Sequence, residues 1–469
     1  MHIMSVEYRM EHDFLGEMAL PENVFYGIQT ARAVGNFPIT DVRIRDFPEL
    51  VVALAMVKKA CALANADCGV LSTYIQNAIV AACDSIIAGQ HHEHFVVDMI
   101  QGGAGTSTNM NANEVIANLA LVRLGYKPGN YQHLHPNDHV NLSQSTNDVY
   151  PTAIRLAVVS QCGGLIDALD LLRQSFAHKA NEFAHIGKVG RTQLQDAVPM
   201  TLGMEFRGFA ATVEEDIDRI KQLGELLKEV NLGATAIGTG INAPAAYGQK
   251  AIDHLCQVSG YSFIKAKDLI EATSDVGAFV TFSGVLKRIA VKLSKICNDL
   301  RLLSSGPRAG IGEIRLPPVQ PGSSIMPGKV NPVIPEMVNQ VAYQVIGNDL
   351  TVTFAAEAGQ LQLNAMEPVI ILNVLQSIRI LTRSIKGLAK RCVDGIEADV
   401  ERCAAHVNSS LVVVTALAPI VGYESAARIA ADVLKSGSTV EDAIAASGLM
   451  PPADFQQVVR DAWTFESAG

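Results

Sequence analysis

The segment Gly322-Ser323-Ser324-Ile325-Met326-Pro327-Gly328-Lys329-Val330-Asn331-Pro332 gathers two hydroxyls, one ammonium and one amide between two glycines. Without a β-carbon, Gly322 and Gly328 can take backbone angles closed to other residues and act as hinges. Lys329 can hold a carboxylate as a point charge. Three further stretches are rich in hydroxyls and amides: Gly103-Ala104-Gly105-Thr106-Ser107-Thr108-Asn109, Ser143-Gln144-Ser145-Thr146-Asn147-Asp148 and Gly190-Arg191-Thr192-Gln193-Leu194-Gln195-Asp196. A single hydroxyl at a helix start is read as a cap. Four such clusters in one chain describe a pocket for a small anion. Hydroxyl and amide donors, helix N-termini and one lysine suit a dicarboxylate.

Rigid elements must aim these stretches. Ile154, Val158, Leu165, Leu169, Leu172, Phe176 and Phe183 recur at steps of three and four or their sums, which predicts a long helix from about Thr152. Phe206, Ala210, Val213, Ile217, Ile220 and Leu227 predict a second, and Leu286, Ile289, Leu293, Ile296, Leu300 and Leu303 a third. A fourth, Met337 to Ala358, is less amphipathic and is read as buried all round; Ile370 to Leu388 is the fifth. Five long helices without strand signals give a mainly all-α fold built on a helical bundle. Pro48 opens a further helical stretch to about Ala88, and the first fifty residues read as short strands and irregular pieces. The segment after about Arg402 reads as a small helical part ending in a solvated tail.

Composition narrows the function. The 469 residues carry 37 Lys+Arg against 47 Asp+Glu, a formal net charge of −10, with no basic run. Nucleic acid and anionic membrane surfaces are excluded as partners on that balance. Charged residues are only 18%, against about 25% in ordinary soluble domains. Hydrophobic residues make up 49% and the mean hydropathy is +0.21. The apolar run Leu411 to Ala418 stops at Pro419, well short of the roughly 20 residues a bilayer needs. The excess apolar surface points to an oligomer whose helices are buried on several faces. The eight cysteines form no C-x-x-C pair, which reads as buried thiols in a reducing compartment, and Met1 to Glu7 has no signal-peptide core; a cytoplasmic location is expected.

The loop from Gly322 to Asn331 matches the pattern G-S-S-x-x-P-x-K-x-N, and on it the chain resembles the aspartase/fumarase superfamily. The other three stretches match the remaining active-site regions of that superfamily in the same order, and the likeness runs from Phe14-Leu15-Gly16 to the C-terminal part. Fumarases read T-H-L-Q-D where this chain has Thr192-Gln193-Leu194-Gln195-Asp196. Gln193 cannot take up a proton near neutral pH, so the water-activating arrangement is impaired. Gln101 to Ser107, Ser145 to Asp148 and Gln360 to Pro368 also resemble the aspartase (aspartate ammonia-lyase) branch. Some bacterial aspartases keep His at the Gln193 position, so Gln is permitted there rather than required.

The resemblance implies a three-domain fold: an N-terminal domain over 1–146, a central long-helix bundle over 147–401 and a small C-terminal helical domain over 402–469. It implies elimination of ammonia from L-aspartate to give fumarate, in a homotetramer with a twenty-helix core whose active sites are each shared by three subunits. Carried over residue by residue, Ser323 is the base. Thr106, Ser145, Thr146 and Ser324 bind the β-carboxylate; Asn147, Thr192 and Gln193 hold the amino group; Lys329 and Asn331 bind the α-carboxylate. Glu336 matches a position linked in fumarases to the missing histidine and is read here as a structural hydrogen-bonding group. The competing readings are a class II fumarate hydratase, opposed by Gln193 and Met366-Glu367-Pro368, and a non-catalytic structural protein, opposed by the intact Ser323, Lys329, Asn331 and Thr106. No Walker A, dinucleotide or haem motif is present, so no organic cofactor is implied. His91-His92-Glu93-His94 is read as a solvated loop, with divalent-metal activation kept as an alternative because some aspartases respond to such ions. His135-Pro136-Asn137-Asp138-His139 resembles a second carboxylate site of fumarases.

Overall fold

The computed structural model describes residues 7–463. It opens on the antiparallel hairpin β1 (Tyr8–Asp13) and β2 (Gly16–Pro21), with Tyr8 opposite Pro21. The helices α1 (Ile28–Asn36), α2 (Pro48–Asp67), α3 (Thr73–Ile87) and α4 (Thr106–Arg123) follow. The stretch expected as one helix from Pro48 to Ala88 is thus two. Gly69 turns the chain at φ +74°, and Ser72 caps α3 by accepting the Ile75 N–H.

The five expected long helices are present as α5 (Thr146–Glu182), α6 (Leu202–Gly224), α9 (Gly277–Leu303), α10 (Val333–Glu357) and α11 (Glu367–Arg391). Between α5 and α6 the chain forms a hairpin, β3 (Gly187–Thr192) with β4 (Gln195–Thr201), that the apolar periodicity did not announce. Between α6 and α9 lie the short strands β5 (Glu229–Val230) and β6 (Ile264–Lys265), α7 (Tyr247–Ser259) and the single turn α8 (Glu271–Ser274). The strand β7 (Ile314–Arg315) pairs with β8 (Glu397–Ala398). Five short helices complete the described chain: α12 (Val400–Ser409), α13 (Val412–Val421), α14 (Tyr423–Ser436), α15 (Val440–Ser447) and α16 (Pro452–Trp463). The expected solvated tail and the first residues of the chain lie outside the described residues.

The chain divides into two compact units of interleaved segments, and every division falls inside one of the five long helices. The first unit takes residues up to 166, 218–288 and 344–380. In it α2 packs on α3 and α7, and α4 on α1 and α3. The second takes 167–217, 289–343 and residues from 381 on. In it Phe176, Phe183, Phe206 and Phe209 form an aromatic cluster with ring centroids 5.3–6.1 Å apart. Leu417, Ile429, Ile444 and Phe455 fill the core of the C-terminal helices, which pack beside β3 and β4.

Two segments, Thr146–Glu182 and Glu367–Gly395, are long and apolar enough by composition to cross a membrane, although no uninterrupted apolar run in the sequence is. Polar residues interrupt the runs without lowering the average enough. Within the protein 61% and 56% of their most apolar 18-residue windows is buried, so packing accounts for much of that apolarity. In the single chain, helix α10, read from its weak amphipathicity as buried all round, leaves one face exposed. Tyr343, Ile346, Leu350 and Phe354 lie three or four residues apart, and Tyr343, Leu350 and Phe354 are 60%, 56% and 67% exposed.

Candidate active site

In the first unit the site residues sit at the starts of α4 and α5. Gly103, Ala104 and Gly105 all have positive φ (+89°, +54° and +85°), so the chain turns sharply just before Thr106. Only glycine fits at 105: an added β-carbon would lie 2.5 Å from the Tyr150 ring. Thr106 is the first residue of α4, is exposed, and donates its hydroxyl to the Gly103 carbonyl at 2.6 Å. Its oxygen keeps acceptor capacity; beside it the Thr106 N–H goes to the Gly103 carbonyl at 2.9 Å and the Thr108 N–H to Gln101 Oε1 at 3.0 Å.

Ser145 caps α5. Its hydroxyl accepts the Asn147 N–H at 3.2 Å, and its own N–H reaches Asp148 Oδ1 at 3.0 Å, a reciprocal cap. Thr146 Oγ1 accepts from Asn109 Nδ2 at 3.1 Å. Asn147 Nδ2 donates to the Ala236 carbonyl at 2.8 Å, which leaves its Oδ1 as the acceptor end. The structure thereby gathers Ser145, Thr146 and Asn147 on one helix start.

The groups that hold this start in place were given no role from sequence. Asn141 Oδ1 accepts from Lys58, Asn109 and Asn113 at 3.0–3.1 Å, and Lys58 also donates to Gln144 Oε1 at 2.8 Å. Asp148 is fully buried and accepts the Gly233 and Thr235 N–H groups at 3.1 and 2.9 Å, besides that of Ser145. Burial pushes its carboxyl up to about 6, even against those N–H donors. Burial pulls the Lys58 ammonium down to about 8. The available signal was the lysine pair Lys58-Lys59 in the Ala-rich, apolar α2, of which only Lys58 is buried.

In the second unit, Thr192 ends β3 and pairs with Gln195 across a two-residue turn. Gln193 and Leu194 form that turn with φ +54° and +62°. Such a turn favours Asn-Gly, so Gln-Leu carries backbone strain. Thr192 and Gln193 are exposed, and neither side chain has a hydrogen-bond partner among the described residues. The hairpin is anchored from below. Glu313 is fully buried and pairs with Arg191 at 2.8 Å, His406 at 3.0 Å and Lys188 at 3.2 Å. Burial raises its carboxyl, but Lys188, His406 and Arg191 together hold it below the usual range. Ser410 donates to Asp196 Oδ2 at 2.6 Å.

The loop from 322 to 331 closes on itself. A β-carbon on Gly322 would lie 1.9 Å from the Lys329 carbonyl oxygen, so only glycine allows this approach. Ser323 Oγ accepts the Ile325 N–H at 3.3 Å. Ser324 and Lys329 are exposed and Asn331 half-buried; none of their side chains has a partner among the described residues. Glu336 lies in the first turn of α10 and likewise makes no side-chain hydrogen bond among the described residues of the single chain. Within the stretch His135 to His139, His135 Nδ1 accepts the Asn137 and Asp138 N–H groups and His139 Nδ1 accepts that of His135, so the turn uses these nitrogens itself.

The ten site residues divide between the units, Thr106, Ser145, Thr146 and Asn147 in the first, and Thr192, Gln193, Ser323, Ser324, Lys329 and Asn331 in the second. The first set offers three hydroxyls and one amide, the second three hydroxyls, two amides and one cation.

The chain is similar to known proteins over nearly its whole length. A profile of the lyase family matches residues 16–347, and one for the fumarase C C-terminus matches 413–462. The aspartate ammonia-lyase of Pseudomonas canavaninivorans is 59% identical over 97% of this chain and 96% of its own. That of Escherichia coli K12 is 52% identical over 97% and 95%. Among solved structures, a fumarate lyase:delta crystallin from Brucella melitensis, described as bound to cobalt, superposes with a TM-score of 0.95 at 59% identity, covering 97% of this chain and 99% of that one. A class II fumarase from Schistosoma mansoni gives 0.91 at 34% identity over 97% and 98%. The chain therefore belongs to the lyase family that unites aspartases and fumarases, and falls on its aspartase side.

Proposed function

We propose that the protein catalyses the reversible anti elimination of ammonia from L-aspartate, giving fumarate and ammonium. The observation that carries this is the pair of amides offered to the leaving group. Asn147 has its donor end tied to Ala236, which leaves Oδ1 as an acceptor, and Gln193 stands unpartnered at the tip of a strained turn. An ammonium group needs hydrogen-bond acceptors, which the two amide oxygens supply. The names of relatives 52–59% identical support the same substrate.

The chemical obstacle is the very weakly acidic Cβ proton. Removing it moves charge onto the adjacent β-carboxylate as an enediolate-like species. Thr106, Ser145, Thr146 and Ser324 donate to that carboxylate, and one such preorganised donor is typically worth about 2.7–4 kcal/mol. Lys329 and Asn331 hold the α-carboxylate. Ser323, as the alkoxide, takes the Cβ proton; the C–N bond then breaks and the amine leaves from the opposite face. Closure of the 322–331 loop excludes water from the base, and backbone donors and Lys329 lower its proton affinity.

The active form is a homotetramer that draws each site from three subunits. The exposed apolar stripe on α10 supports this, since a single chain leaves it in water. No organic cofactor takes part, and a divalent ion acts only as an accessory. The eight free cysteines fit a reducing, cytoplasmic setting. Purified protein given L-aspartate is expected to release fumarate and ammonium in equal amounts, and to release no fumarate from L-malate. Fumarate from malate alone would overturn the reading.

A further inference from the structure

We propose that the turn around His92–His94 binds a divalent transition-metal ion through His91, Glu93 and His94, outside the substrate-binding stretches. One ligand atom from each of the three side chains lies within 4.8 Å of the others. The short 3₁₀ turn brings residues three apart onto one side, so the His91 and His94 rings stack 6.5 Å apart with an interplanar angle of 29°. His91 holds φ +64°, a left-handed conformation uncommon outside glycine that histidine adopts more readily than most residues. The Phe25 ring stands edge-on to both imidazoles, at 5.5 and 4.9 Å, and forms an apolar wall behind them.

The side chains are available for ligation to different degrees. The His91 imidazole makes no hydrogen bond among the described residues. The Glu93 side chain is 65% exposed and its carboxylate lies 3.4 Å from His94 Nε2. The Phe25 N–H points at His94 Nδ1, also at 3.4 Å. Both contacts are longer than a good hydrogen bond, so giving them up costs little. Ligation through His94 Nε2 puts the ring proton on Nδ1 and opens the Phe25 contact. His92 is excluded as a ligand, because its Nε2 is engaged with the Ile86 carbonyl at 2.8 Å.

Two imidazoles and one carboxylate select Zn²⁺, Co²⁺ or Ni²⁺ over Mg²⁺ or Ca²⁺, which prefer oxygen. Three protein ligands leave a fourth position for water. The ion would stiffen a turn already fastened to α4. The His94 carbonyl accepts from Asn111 at 2.9 Å and the Phe25 carbonyl from Asn118 at 2.8 Å, both on the helix that begins at Thr106.

The test is a Co²⁺ titration of untagged, full-length protein, followed by the visible absorption of bound cobalt and by melting temperature. It does not depend on the aspartate reading. A single Co²⁺ per chain is expected to bind and raise the melting temperature, with excess Mg²⁺ failing to displace it. His91→Asn, which tolerates the left-handed backbone, is expected to weaken binding by at least about tenfold, while His92→Asn leaves it unchanged. Glu93→Gln, at an exposed position, should weaken it as well and guards against a folding effect of the His91 change. Wild-type protein that binds no Co²⁺, or binding unchanged in both His91→Asn and Glu93→Gln, would overturn the proposal.

Discussion

Asp148 shows how a residue outside the substrate set can govern it. Its carboxylate joins the Ser145–Asn147 helix start to the loop at Gly233 and Thr235, and Asn147 reaches Ala236 in that same loop. Asp148→Asn keeps the shape but turns an acceptor into a donor that faces N–H groups. We expect it to cost about 1–3 kcal/mol of stability and to raise KM for aspartate, measured by denaturant unfolding and initial rates. An unchanged KM would separate Asp148 from the site. The pH dependence of the cost has a definite sign. Asp148 titrates at about 6 in the folded chain against an ordinary 3.8. Its bound proton therefore stabilises the native state fully below pH 3.8, and that contribution is lost as pH rises through 6. The deficit of the Asn variant is accordingly smaller at pH 7 than at pH 4. In sequence, Asp148 read only as the end of a polar stretch; its distant partners at 233 and 235 are set by tertiary packing.

At the scale of elements, the β3–β4 hairpin is the least legible part of the site. Gly187-Lys188-Val189-Gly190-Arg191-Thr192 lacks the alternating β-branched pattern of a strand, and Gln193-Leu194 lacks the Asn-Gly signature of its turn. The polar side chains were visible, but not the element that presents them. Leu194 is 69% exposed at φ +62° and nothing in the proposed reaction uses its side chain. Leu194→Gly should therefore relieve strain and stabilise the protein by about 1 kcal/mol, with KM nearly unchanged. A lower melting temperature would mean that the leucine side chain is itself needed. The long helices were legible for the opposite reason. An apolar stripe of period 3.6 over six turns or more leaves little ambiguity, and only their ends moved, as where α5 begins at Thr146 rather than Thr152.

For the whole molecule, composition demanded more burial than one chain supplies. Tyr343, Leu350 and Phe354 on α10 remain exposed in the single chain. Sequence could not separate a face covered by its own chain from one covered by another copy, because both are apolar. If the stripe is a subunit interface, Leu350→Asp places an unpaired charge in it. The variant should sediment as smaller species, keep its helical circular dichroism and lose activity. A fully active Leu350→Asp tetramer would place the interface elsewhere.

In the proposed reaction Ser323 is the base that removes the Cβ proton of L-aspartate. The direct measurement is the ultraviolet absorbance of fumarate formed from L-aspartate by Ser323→Ala and by wild type, each confirmed to have the same assembly. The variant is expected to fold and assemble normally and to lose about 10²–10⁴-fold in kcat. Turnover near the wild-type rate would contradict it and remove Ser323 from the chemistry.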